Sequence, residues 1–379
     1  MEAMYHIAAT GRQGKPLCPA LLQGGEFGAL SERLGTFMTG AIRMLTSDEV
    51  KQFARACGAD LVGIGSLDRF EGAPPEMDPR FVFPDAKAMI GLAFRIPRGY
   101  LRGIEEGTHF YQYPSMGYSS INEVYAPIVL RELSCFLEDH GYEGAAFRNT
   151  GARMACSDVT GDYDESPDYG RRIRYTEPVA PDRPAPDVMF HFRIAAFICG
   201  LGEIGYSKLL LTPEFGPRQR FAFVLTDAPL EPDPLFEGGL CDRCRACVKE
   251  CPVHALSAEE TVRVTVAGRE LEWGRFAEWQ CFHGYLGSVK EINPFLPRDA
   301  YAELPDGDAI LRGEKALTPA ECLQVHGILR RYYGPSAQYG SALCGGRGCI
   351  RACMVHLEQA DRLTRKFESP FRKRKLWRL

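Results

Sequence analysis

The chain has 379 residues, 45% hydrophobic and 25% charged, with 14 cysteines and a formal net charge of -4. That length calls for two domains or one large domain with an insertion, and the apolar share is enough for a full core. The charge argues against bulk nucleic-acid binding, no apolar run reaches the roughly 18 residues of a membrane span, and so long a chain is not a disulfide scaffold.

Residues 1–43 are glycine-rich, with no apolar h-region, twin-arginine pair or cleavage site, and read as a weakly ordered extension rather than an export signal. An arm covering a partner is the functional alternative. From Met44 the pattern sharpens. Thr46-Ser47-Asp48-Glu49 is a capping box flanked by Leu45 and Val50, which predicts a helix over 47–57 ending at Gly58. Leu61 to Gly65 and Lys87 to Phe94 read as buried strands. Residues 123–140 carry Val124, Ile128, Leu133, Phe136 and Leu137, an amphipathic helix closed by Gly141. The polar, proline-rich stretch 157–187 is too long for a passive connector and is expected to be a lid or active-site loop. A helix over 188–199, a glycine-rich turn and a strand from Arg220 to Leu225 follow. Val262 to Val266 and Leu271 to Trp273 around Ala267-Gly268 predict a hairpin. The basic tail from Arg362 reads as a solvated terminus, with contact to RNA or an acidic electron donor as the alternative.

The strongest chemical signal is Cys241-x2-Cys244-x2-Cys247-x3-Cys251-Pro252. This is the spacing with which bacterial-type ferredoxins hold [4Fe–4S] clusters, three thiolates on one cubane and the fourth directed to another. Paired zinc knuckles would lack the third cysteine and the trailing proline. A second cluster needs more thiolates, and Cys281, Cys322, Cys344, Cys349 and Cys353 lie downstream. By analogy with ferredoxins, Cys353 returns to Cys241, Cys244 and Cys247. Cys251, Cys344 and Cys349 then take one of Cys281 or Cys322. Cys281 is favoured for its aromatic-rich loop, while Cys322 at a helix start has a buried structural thiol as its alternative. Cys57, Cys135, Cys156 and Cys199 show no ligand spacing. His191, on an apolar helix face, reads as a core histidine.

Gly200-Leu201-Gly202-Glu203-Ile204-Gly205 matches the dinucleotide pattern G-x-G-x-x-G, and Asp227 lies at about the distance of a ribose contact. Pro213 interrupts too soon for the crossover helix, so a nicotinamide site is disfavoured.

The same glycine stretch, followed by Thr212-Pro213-Glu214-Phe215-Gly216-Pro217-Arg218 and Thr226-Asp227-Ala228-Pro229-Leu230, runs directly into the cluster cysteines. This order resembles the cobalamin-dependent reductases, namely the reductive dehalogenases and epoxyqueuosine reductases. The resemblance is specific over about 188–253 and looser over 44–150. It implies an α+β protein: a nitroreductase-like α/β domain over 44–235 holding a base-off corrinoid, a ferredoxin-like domain with two [4Fe–4S] clusters over 236–361, and a basic tail over 362–379. It implies corrinoid contacts from Gly200, Leu201, Gly202, Gly205, Thr212, Pro213, Gly216 and Arg218. Asp187 falls within one residue of the epoxyqueuosine reductases' proton donor. Tyr175 and Tyr169, beside Arg171, Arg172 and Arg174, are candidates for the dehalogenases' tyrosine. The resemblance further implies a cytoplasmic reductase of carbon–heteroatom bonds, fed by reduced ferredoxin, flavodoxin or a similar donor. Its substrate would be a small molecule or a modified nucleoside, with nucleic acid involved only in the epoxyqueuosine case. Glu203 and Tyr206-Ser207 depart from the epoxyqueuosine pattern. The distal x4 cysteine spacing, and Met354 where a proline often stands, depart from the usual pattern as well. The rival reading is a corrinoid-free iron–sulfur protein serving a partner enzyme, and a flavin-bearing reductase is the third.

Overall fold

The computed structural model describes residues 44–109, 112–149, 178–184, 188, 190–333 and 342–371. The extension 1–43 and most of the expected loop over 157–187 lie outside the described residues. The capping box forms: the Thr46 hydroxyl accepts from the Glu49 amide at 3.3 Å and the Glu49 carboxylate from the Thr46 amide at 3.1 Å. It opens α1 (Ser47–Ala56), which buries Val50 and Ala54. Strands β1 (Leu61–Ser66) and β2 (Ala88–Arg95) follow, then α2 (Arg102–Glu106). Next come α3 (Ala126–Asp139), β3 (Gly144–Phe147) and α4 (Phe192–Ile198). A short β4 (Glu203–Ile204) pairs with β5 (Leu210–Leu211), and β6 (Gln219–Thr226) completes the first half.

The main sheet has the order β1-β2-β6-β3, and each pairing is antiparallel. Side chains of a strand alternate between faces, and here both faces are covered. Ile90, Leu92, Phe94, Ala222 and Val224 share one core with Val50 of α1 and Leu133 and Leu137 of α3. Met89, Ala93, Phe221, Phe223 and Leu225 share the other with α4. Coverage on both faces explains why β2 reads as a continuous apolar run, with only Arg95 exposed.

The amphipathic helix expected over 123–140 is regular only from Ala126. Two π-helical stretches, Gln112–Ser119 and Ile121–Tyr125, precede it. Val124 falls in the second of these stretches and is 57% exposed; Ile128, also 57% exposed, lies on the side of α3 opposite its buried stripe of Val129, Leu130, Leu133 and Leu137.

In the second half, α5 (Ala246–Lys249) leads to the hairpin of β7 (Leu256–Val266) and β8 (Arg269–Phe276). Ala267 and Gly268 turn it with φ of 51° and 74°, the backbone a two-residue hairpin favours. Helices α6 (Glu278–Tyr285), α7 (Gly307–Arg312) and α8 (Pro319–Tyr333) form a separate core around Phe282, Ile310 and Val325. Helix α9 (Cys349–Gln359) ends the cysteine-rich region.

The two halves share cores on both sides of the sheet. Leu343, Met354 and Val355 enter the first, and Trp273 of the hairpin enters the second. The start of the tail is anchored at two points, with residues 364–370 between them exposed. Leu363 and Phe371 are buried, the Thr364 amide donates to the Pro213 carbonyl at 2.9 Å, and Arg98 stacks 3.5 Å over Phe367. Residues 372–379 are not described. Among the described residues no helix is long and apolar enough to cross a membrane.

Candidate metal centres

Two sets of thiols assemble where the cysteine loops meet α9. The first joins Cys241, Cys244 and Cys247 to Cys353, one turn into α9. Arg243 and Arg245 flank Cys244 in the left-handed region, at φ of 58° and 59°. For residues other than glycine this costs about 1–2 kcal/mol each. The Asp242 carboxylate accepts from the Cys244 amide at 3.2 Å and stiffens the turn. The four thiols and His356 line one hollow. Burial, then the neighbouring Cys241 and Cys244, pushes the Cys247 thiol up to about 11. Burial, then Cys241, Cys247 and Cys244, pushes Cys353 well up.

The second set is Cys251, Cys281, Cys344 and Cys349. Burial, then Cys349 and Cys251, raises Cys281 to about 12. Cys344 rises through burial, then Cys349, Cys281 and Cys251. Cys349 rises to about 12 through burial, then Cys251 and Cys247, and this last coupling links the two sets. Cys281, Cys344 and Cys349 are half-buried. Val253, Ala255, Val289 and Ile292 pack against Cys251, Cys281 and Cys344, and the Ala255 amide donates to the Cys251 sulfur at 3.3 Å. Cys322 is elsewhere: it is 0% exposed in the α6–α8 core, with its thiol 3.7 Å from the Trp279 carbonyl.

The buried thiols whose pKa values rise, Cys247 and Cys353 in the first set and Cys281, Cys344 and Cys349 in the second, are costly to ionise unaided. A polycationic centre reverses the penalty by holding them as thiolates. The donor set therefore fits two iron–sulfur clusters, with amides from Tyr206 and Ala255 directed at sulfur.

The glycine run enters the short β4–β5 pair. It does not precede a crossover helix but forms the β4–β5 hairpin, which removes the dinucleotide reading. Gly202 is required by close approach, since a side chain there would overlap the Leu211 carbonyl. Gly200, at φ 73°, backs onto the Pro234 carbonyl in the same way. Leu201 is buried in the sheet core. Gly205 lies against Leu211 and near the Cys241 sulfur. Glu203 accepts from the Gly239 amide at 2.8 Å and from the Cys241 amide, bracing the first cysteine loop. The Thr212 hydroxyl accepts from the Phe215 amide at 3.2 Å, the Pro213 carbonyl binds the docked tail, and Gly216 faces Leu357 and Leu363. Arg218 is 2% exposed and donates to the Ile96 carbonyl at 2.6 Å, and burial lowers its pKa to about 10. Among the described residues, these positions pack against the protein's own backbone and side chains.

Asp187, Tyr175 and Tyr169, with the arginines beside the tyrosines, lie outside the described residues. His191 caps α4, its Nδ1 accepting from the Ile194 amide at 3.4 Å.

Two groups escaped sequence reasoning. Arg351, between Cys349 and Cys353, holds Glu105 of α2 through both carboxylate oxygens at 2.5 and 2.9 Å and also pairs with Glu250 beside Cys251. Near the second thiol set, Tyr113 is 1% exposed and feels the charges of Arg220, Cys344, Tyr118 and Cys349. Arg220 lies 4.2 Å over the Tyr118 ring and donates to Asn122 Oδ1 at 3.1 Å, while the buried Asn122 Nδ2 has no partner. The run Tyr111-Gln112-Tyr113-Pro114 to Tyr118 was a signal, being tyrosine-dense between a strand and a helix.

No family model matches the chain. In sequence it is 29% identical over 231 residues to a tetrachloroethene reductive dehalogenase of Desulfitobacterium hafniense, covering 57% of this chain and 39% of the relative. Over 57 residues it is 44% identical to an epoxyqueuosine reductase of Synechococcus, 15% of this chain and 17% of that one. Among solved structures, a reductive dehalogenase described as acting by B12-dependent dehalogenation aligns with a TM-score of 0.42 at 16% identity, covering 81% of this chain and 40% of that one. The chain is thus related to oxidoreductases. Its relatives are the reductive dehalogenases and epoxyqueuosine reductases, and it spans about two fifths of the length of the dehalogenase.

Proposed function

We propose that this chain is a corrinoid-dependent reductase with two [4Fe–4S] clusters that cleaves a carbon–heteroatom bond, carbon–halogen or epoxide carbon–oxygen. The observation that carries it is the gathering of eight cysteines into two sets, Cys241, Cys244, Cys247 and Cys353 around one hollow, and Cys251, Cys281 and Cys344 against one apolar wall with Cys349 beside them. Cys241, Cys244, Cys247 and Cys353 would hold one cluster, and Cys251, Cys281, Cys344 and Cys349 the other. In this reading the first half is a nitroreductase-like sheet domain and the second a ferredoxin-like domain. The shared cores support a fixed relation between them.

When bound, a corrinoid supplies a low-valent cobalt that can donate electrons to a substrate. The place best suited to face it is the Tyr113, Tyr118, Asn122 and Arg220 group. It adjoins the second thiol set and keeps an unpartnered buried amide donor. Tyr118, with Arg220 against its ring, would hold a proton at its hydroxyl beside a fixed positive charge. Asp187, Tyr175 and Tyr169 stay as alternative donors. The described cysteines are all free thiols, which suits a reducing cytoplasm. Anaerobic purification with cobalamin reconstitution and metal analysis tests the reading. About eight irons and one cobalt per chain are expected. Iron without cobalt would favour the corrinoid-free electron carrier. Binding of a tRNA stem loop would favour epoxyqueuosine chemistry over a halogenated small molecule.

A further inference from the structure

We infer that the face around Cys244 is the docking surface for an acidic one-electron carrier protein, an inference that rests on the iron–sulfur reading above. Of the eight candidate ligands Cys244 is the exposed one, whereas the other seven are half-buried or buried. The hollow over its thiol set is bordered by Arg243, Arg245 and His356. The left-handed backbone on both sides of Cys244 turns this cysteine outward between two arginines.

The charge on this face is one-sided. Arg243 reaches Glu272 at 2.6 Å, but Arg263 uses the same carboxylate at 3.3 Å. Arg362 lies 3.4 Å from Asp242, which His356 also engages at 2.8 Å. Arg245 lies over the Tyr206 ring and Lys249 is exposed. Arg243, Arg245, Lys249, Arg263 and Arg362 thus stand with Glu272 and Asp242, while the exposed Glu237 and Asp361 nearby pair with Arg269 and Lys366, on a chain whose overall charge is -4. A local basic field on an acidic protein steers an acidic partner and repels a second copy of the same chain. The second thiol set is less accessible. The groove beyond it carries Lys290, Phe295 and Arg298, but the Lys290 ammonium is held by the Pro294 and Leu296 carbonyls. Electrons would therefore enter at the first cluster and pass inward through the Cys247–Cys349 junction. In the docking step one electron leaves the reduced carrier and one [4Fe–4S]2+ cluster becomes [4Fe–4S]+, with no bond made or broken.

The test uses the iron-loaded full chain, reduced flavodoxin as the acidic probe, and stopped-flow bleaching of cluster absorbance at several salt concentrations. Arg243→Glu with Arg245→Glu is expected to slow uptake at low salt by about tenfold or more and to flatten its salt dependence. Reduction of Lys249→Glu by a small photoreduced deazaflavin should be unchanged. Lys249→Glu, outside the ligand turn, should slow uptake severalfold and carries the test if the double variant binds less iron. Wild-type rates and salt dependence in both variants would overturn the docking surface, as would slowing in Arg298→Glu alone. A wild-type chain that takes up no iron would show in the metal assay and would end the parent reading itself.

Discussion

Replacing Glu105 with alanine removes the carboxylate that Arg351 holds through two hydrogen bonds at 2.5 and 2.9 Å. Both side chains are sealed from water, Glu105 at 0% and Arg351 at 6% side-chain exposure. Breaking one partner of a buried pair costs about 3–5 kcal/mol, chiefly because the remaining charge is left uncompensated. Arg351 keeps Glu250, which is 30% exposed, so the lower end of about 3 kcal/mol applies. That is about two orders of magnitude in the folded-to-unfolded ratio, and a fall of about 1 M in the urea midpoint for a chain of this size. Urea titration of the iron-loaded protein by circular dichroism measures it. Glu132→Ala, at the exposed Arg131 pair, is the comparison and should cost less than about 1 kcal/mol. Because Arg351 stands between two proposed ligands and Glu250 beside a third, Glu105→Ala should also release iron faster to a chelator. If Glu105→Ala unfolds no earlier than Glu132→Ala and holds iron as long, the pair does not brace the cluster loops.

Cys281→Ser should lose about four irons per chain, whereas Cys322→Ser should keep about eight; the opposite pattern in an iron assay would exchange their roles. Gly202→Ala puts a methyl group into the Leu211 carbonyl and should cost about 3 kcal/mol, read as a lower urea midpoint, with Gly99→Ala in open space as the control. Thr46→Ala removes the capping-box hydroxyl and should cost about 1 kcal/mol in the same titration. A hydrogen bond from Lys315, then the Thr318 amide, holds the Glu321 carboxylate down from 4.5 to about 2. A depressed carboxylate stabilises the fold above its unfolded value, so its contribution should fade as pH drops from about 4.5 to about 2. Glu321→Gln should flatten that limb of the stability curve, and an unchanged acid limb would remove the pair from the account.

Much of the fold was legible because its rules are local. The capping box at Thr46 acts over three residues, the strands at Leu61 and Ala88 are short apolar runs, and Ala267-Gly268 specifies its own turn. The C-x2-C-x2-C-x3-C-P spacing is equally local and announces its chemistry without a fold. Phase was harder: Val124 and Ile128 share one helical face and Leu133 and Leu137 another, and only the packing of α3 on the sheet decided which of them is buried.

Side-chain chemistry and short-range spacing were thus determined by the sequence itself: thiols suited to iron, capped helices, and strands apolar enough to need cover on both faces. Only the tertiary structure decided the long-range partners. It joined Arg351 to Glu105 across 246 positions, brought Cys281 rather than Cys322 to the second thiol set, docked the tail on Arg98, and turned the glycine run inward. The physical reason is that such pairings depend on which surfaces bury each other when the chain closes, a balance spread over the whole core and written in no single segment.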